Sequence, residues 1–187
     1  MSIHDKTSQI MEILKGVGLE IATGTIEDIP VSVARGLTST EYDPTMKALV
    51  TIMAPFSAKR FSVYFYVAVG EVDTLSKQTL EQFTASAYRY CQEAIKFDKK
   101  QKKLKFKGVT CIPILLSTNA DNEAKGWANR TTKAHYQAIE IPVVIDSNTD
   151  DIYYNNQAPI KMRVFYMPGR EMIETLIRKS LASFVDE

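Results

Sequence analysis

Residues 146–151, Asp146-Ser147-Asn148-Thr149-Asp150-Asp151, carry oxygen-bearing side chains at alternate positions. That D-x-N-x-D spacing is the one with which a helix–loop–helix calcium loop begins. The match stops there. The sixth position is Asp151, where such a loop needs glycine for its turn, and the twelfth is Gln157, where it needs a bidentate glutamate. The flanking residues read as strands, and Asx, Ser and Thr are also common hairpin-turn residues. A polar hairpin turn is expected, and no metal site is assigned.

The same segment matters for a second reason. The apolar runs 109–116 and 138–145 enclose a weakly helical stretch over 120–133, and Ile112 and Ile141 stand 29 residues apart, about one strand–helix–strand unit. Two parallel strands so joined end at Ser117-Thr118-Asn119 and at Asp146-Ser147-Asn148. Ligands of open α/β sheets bind at such a rim. Ser117, Thr118, Asn119, Asp146 and Asn148 are therefore the ligand-binding candidates. Asn119 is expected to cap the intervening helix, whose first N–H groups could take an anion.

A third candidate is electrostatic. Residues 96–107 hold seven lysines and one acid, Asp98, for a local charge of +6, which leaves −5 for the rest of a 187-residue chain of formal charge +1. Lys99, Lys100, Lys102, Lys103, Lys105 and Lys107 could contact nucleic-acid phosphates. The same run reads more readily as a solvated helix end, where cations suit the C-terminal dipole, leading into a lysine-protected strand. It contains no arginine, the residue that grips phosphate bidentately.

Other chemistries lack their residues. His4 and His135 are the only histidines, and neither has a neighbour at metal-ligand spacing. Walker, GxGxxG and GxSxG patterns are absent. A serine or cysteine nucleophile would have His135 alone as its base, with nothing in the sequence to bring them together. Cys91 and Cys111 fall on a helix and in a strand, outside any CxxC spacing, and read as buried reduced thiols. The acid pairs Glu27/Asp28 and Glu71/Asp73 read as turn and capping residues.

These residues must be positioned by a recognisable frame. A first helix is striped by Ile10, Ile13, Leu14 and Val17 and ended by Gly16 and Gly18. Strands are expected over 19–23, 29–35, 49–54 and 61–69. The last is the clearest: Phe61, Val63, Phe65, Val67 and Val69 share one face, and Tyr64, Tyr66 and Ala68 the other, so both faces should be covered. A helix over 74–96, with Asp73 or Thr74 as its cap, shows Leu80, Phe83, Ala87, Cys91 and Ala94 at spacings of three and four. A hairpin should join 143–145 to 152–154, a strand should follow over 161–166, and a helix from about Arg170 should close the chain. Three Ile-Pro-aliphatic triplets, at Pro30, Pro113 and Pro142, are expected to mark strand starts or edges, since proline donates nothing to a ladder. Tyr153, Tyr154 and Tyr166 should lie on or beside the last hairpin.

The order of these elements is similar to that of restriction-endonuclease-like nucleases, which set an Asp and a Glu-x-Lys on adjacent strands to hold Mg²⁺ and polarise water. Residues 63–69 offer neither acid nor lysine, and the nearby Glu-x-Lys, Glu123-Ala124-Lys125, falls in a helix. Order without the chemistry assigns no family.

The expected fold is a single α/β domain over 1–187 (α+β as the alternative). Its mixed, partly antiparallel sheet carries helices and one βαβ crossover over 109–145. No cofactor is expected. The N-terminus has no apolar signal core, and the densest apolar run is half a bilayer span, so a cytoplasmic protein without a membrane partner is expected. A full core pattern without a catalytic set favours a non-catalytic interaction or regulatory module, with itself or another protein as partner and a homodimer as its form. The rivals are a nucleic-acid-acting protein using the lysine run and a small-ligand or hydrolytic enzyme at the 117–119/146–148 rim.

Overall fold

A reciprocal cap starts the chain in a computed structural model that describes residues 2–41, 60–102, 108–136, 138–157, 163–178 and 181. The Ser2 hydroxyl accepts the Asp5 N–H at 3.1 Å and the Asp5 carboxylate accepts the Ser2 N–H at 3.0 Å, satisfying two donors that helix α1 (Ile3–Gly16) would otherwise leave open. Those bonds hold the Asp5 carboxyl below its usual value. Ile10, Met11 and Leu14 form the buried stripe.

Strands β1 (Glu20–Ile26) and β2 (Ile29–Glu41) form an antiparallel hairpin. Its two turn residues, Glu27 and Asp28, both have positive φ, 48° and 63°. That is the turn whose twist matches paired strands, built here without its usual glycine. β3 (Arg60–Leu75) runs antiparallel to β2 and carries the expected alternation. Val63, Phe65, Val67 and Val69 face a core shared with α1, while Tyr64, Tyr66 and Ala68 face a second core. The predicted strand over 49–54 lies outside the described residues.

Helix α2 (Lys77–Lys102) covers the second core with Leu80, Phe83, Ala87 and Cys91. Its cap is Ser76, not Asp73 or Thr74: the Ser76 hydroxyl accepts the Thr79 N–H at 3.2 Å and its carbonyl accepts the Leu80 N–H at 3.0 Å. The displaced candidates are still strand, because Thr74 pairs with Asn119 of β4 (Gly108–Ala120). β3 and β4 are parallel, so α2 is a crossover helix, a relation the sequence reading did not assign.

The predicted crossover over 109–145 is found. After α3 (Asn122–Arg130) come β5 (Lys133–His135), β6 (Ala138–Glu140), β7 (Val143–Asp146) and β8 (Ile152–Tyr153). Both β6 and β7 run parallel to β4, the first beside Val109–Cys111, the second beside Ile114–Ser117. Pro113 is therefore central in the sheet, against expectation. It is tolerated because β4 changes neighbours there, and Pro142 sits in the matching gap between β6 and β7, so neither proline interrupts a continuous ladder on that side. Pro30 does stand at a strand start.

The strand expected at 161–166 is also corrected: helix α4 (Arg163–Glu171) occupies 163–166 and continues as a π-helical turn, Met172–Ile177. Met162, Val164 and Tyr166 alternate with polar or aromatic neighbours as a strand would, and proline and glycine ordinarily end a helix. The helix instead passes through Pro168, stays α-helical to Glu171 and widens from Met172. Gly169 fits where little else would: a Cβ there would lie 2.7 Å from both Ile141 Cδ1 and Thr110 Cγ2. Tyr166 thus sits on a helix, its hydroxyl bonded to the Asn155 carbonyl just beyond the hairpin.

The eight strands make one mixed sheet in the order β1-β2-β3-β4-β6-β5, with β7 beside β4 and β8 beyond it. Among the described residues no helix is long and apolar enough to cross a membrane.

Candidate functional site

All five rim candidates meet at the ends of β4 and β7, where Ser117 pairs with Asp146. Four of them, Ser117, Thr118, Asp146 and Asn148, have side chains bonded to one another's backbone or to neighbouring segments. The Ser117 and Thr118 hydroxyls both donate to the Asp73 carbonyl, at 3.0 and 3.1 Å. The Asn148 amide donates to the Thr118 carbonyl at 2.6 Å, and the Ser147 N–H to the Ser117 carbonyl at 2.9 Å. Asp146 receives Lys125 Nζ at 2.7 Å and the Asn148 N–H at 3.0 Å. Burial acts to raise the Asp146 carboxyl, but Lys125 and the backbone N–H bonds outweigh it and hold it below its usual value. Lys125 is raised in turn by its bond to Asp146. The buried face of α1 adds Lys6, which donates to the Ser147 carbonyl at 2.5 Å and pairs with Asp150.

Residues 146–151 are thus the expected polar turn, fastened by two lysines. Asn119 does not cap α3. Asp121 does, accepting the Ala124 N–H at 2.5 Å. A carboxylate already occupies that helix start, which disfavours an incoming anion. The Asn119 side chain is exposed and bonds no described residue.

A pair that the sequence reading passed over lies on the other side of the crossover. Through the β5–β6 hairpin, His135 Nε2 meets Glu140 Oε1, and the imidazole stacks on Tyr88 of α2 with centroids 4.1 Å apart. Glu140 is 2% exposed, and its Oε2 is buried with no hydrogen-bond partner among the described residues. Burial raises its carboxyl, with His135 and Lys133 pulling the other way. A histidine backed by a buried carboxylate can move protons, but the nearby thiol is ill suited to serve it. Cys111, opposite Glu140 in the ladder, is fully buried, and burial together with Cys91 pushes its thiol far up, away from the reactive thiolate. Both cysteines are free and buried, as expected. Among the described residues no three His, Cys, Asp or Glu side chains converge as metal ligands.

Lys99, Lys100 and Lys102 lie in the last turns of α2, and Lys103, Lys105 and Lys107 lie outside the described residues. The one acid of the run points inward: Asp98 is 3% exposed, accepts the Tyr64 hydroxyl at 2.5 Å and faces Arg35 at 3.9 Å. Exposed Lys96 and Phe97 precede it.

The most exposed strand edge among the described residues is that of β1. No described strand pairs with its outer side, and six of its seven residues are exposed. Its register puts Ala22, Gly24 and Ile26 on the α2 side, opposite Val33, Val31 and Ile29, and Ile21, Thr23 and Thr25 on the α1 side. A groove flanks each face. The α2-side groove, of 440 Å³, is lined by Tyr66, Arg35 and the exposed Tyr90 and Phe97. The α1-side groove, of 510 Å³, is lined by Thr7, Ser8, Met11 and the pair His4–Glu71. The sequence marked residues 19–23 as a strand. Its place at the sheet edge depends on the order of pairing, which no local pattern carries.

The chain matches no known protein family, and no curated protein is similar to it in sequence.

Proposed function

We propose that this protein is a non-catalytic interaction module that takes up an extended strand of a protein partner along β1. The single observation behind this reading is the outer edge of β1, seven residues long, paired with no other described strand and set between two grooves. An unpaired row of N–H and C=O groups is a template for another strand, with side-chain recesses on alternate positions supplying selectivity. The absence of a catalytic role is supported by the saturation of the rim and by the buried, protonated state favoured for Cys111.

The test is native capture of the tagged full chain from its own cells, followed by amide exchange on the recovered complex. The expected result is slowed exchange at β1 amides in the complex, and loss of both complex and protection in the double variant I21K/T23K, whose circular dichroism and melting should match the parent. A parent chain whose β1 amides on the side away from β2 exchange freely in every recovered state overturns the reading.

A further inference from the structure

Resting on that reading, we infer that the strand received by β1 is the β1 of a second copy, antiparallel and centred on Thr23. In this register Thr23 faces Thr23 of the other copy, Ala22 faces Gly24, Ile21 faces Thr25, and Glu20 faces Ile26. Four properties of the strand fit this pairing. Glu20 is the only charged residue in β1, and it falls opposite an aliphatic residue, so no like charges oppose across the seam. Threonines directly opposite form a favourable cross-strand pair. The strand contains no proline and no lysine, the residues that usually guard an edge. Finally, one two-fold axis satisfies both open edges at once and leaves neither available for further growth.

The surroundings agree with the strand. On the α2 side, Ala22 and Gly24 are too small to fill the space above the seam, and the exposed Tyr90 and Phe97 of each copy stand beside it. On the α1 side, the exposed Ile21 of each copy comes to the seam. The acidic turn Glu27–Asp28 of one copy arrives at the end of the other's β1, where Arg35 pairs across from Glu20 and Lys15 closes α1.

The register makes a test by charge. Sedimentation equilibrium of the full chain should give a dimer. T23K sets two lysines face to face and T23E two glutamates, and each variant alone should associate at least about tenfold more weakly, the effect of roughly 1.4 kcal/mol. Mixing the T23K and T23E chains should restore a dimer containing one of each, detected by native mass spectrometry. The parallel pair T25K and T25E should show no such mutual rescue, because Thr25 faces Ile21 in this register. A dimer indifferent to both T23 variants overturns the inference, as does one rescued at position 25 but not at 23. A monomeric chain whose β1 amides are nevertheless protected in a complex with another protein also overturns it and leaves the broader reading standing. A monomer with β1 unprotected in every state removes both.

Discussion

At one margin of the sheet, β1 offers seven residues, six of them exposed, with Glu20 as the only charge. At the other, β5 has three residues, including Lys133, whose ammonium lies 5.6 Å from the Trp127 ring centre. The second margin is also held from within. His135 of β5 is tied to buried Glu140 and stacked on Tyr88, and Gly169 lets α4 settle directly on Ile141 and Thr110. A short, charged and anchored edge is a poor template for another chain. A long, neutral edge is a good one. The difference separates a margin finished within the molecule from one that no described strand covers.

The contrast can be probed from the finished side. The largest effect is expected from G169A, whose added methyl must displace the side chains of Ile141 and Thr110 or shift the helix that carries it. Overpacking of this kind costs about 1–3 kcal/mol, which urea unfolding of the parent and variant would measure. Association through β1 should survive in the folded fraction. A G169A protein as stable as its parent would show that α4 does not clamp this margin.

A smaller effect distinguishes two carboxylates by sign. Asp146 is held below its usual value, so its contribution is present above the ordinary carboxylate range and is lost as pH falls through its folded value. Glu140 is raised, so its contribution is present below the ordinary range and is lost as pH rises through its folded value. Over the range from about pH 2 to about pH 7, E140Q should therefore gain stability relative to the parent as pH rises above about 4, and D146N should lose it as pH rises from the low end to about 5. Urea midpoints at the two ends of that range decide the matter, and slopes of the same sign for both variants would refute the assignment. The smallest effect is expected for K99Q/K100Q/K102Q. These lysines sit at the end of α2, and their replacement should leave stability and association within about 0.5 kcal/mol of the parent. A marked loss of dimer on sedimentation would extend the binding margin to this helix end.

The frame was readable wherever a local period ruled. Both faces of β3 are apolar because both are covered, and the stripe of α2 continues unbroken from Leu80 to Ala94. The rim was readable too, since two parallel strands joined by a helix must end on one side. Its saturation was not: Lys6 reaches Asp150 across 144 positions of sequence, and no spacing rule registers that contact. The His135–Glu140 pair escaped notice because five residues separate its members and only the tight β5–β6 hairpin brings them together. The strand predicted over 161–166 failed for a different reason. A proline and a glycine that ordinarily end a helix lie inside one here, since packing on Ile141 and Thr110 outweighs local preference.

Pro113 within β4 and Pro142 between β6 and β7 bear on how the sheet comes apart. β4 holds β6 through three register pairs and β7 through four, and Pro113 and Pro142 separate the two runs. A tear begun at one run need not propagate into the other. The β5–β6 and β7–β8 hairpins can therefore detach as two separate units, each with its own opening free energy, while the β2–β3–β4 centre stays closed. The molecule's weakest points would then lie beside its best-guarded edge, far from the strand offered to a partner.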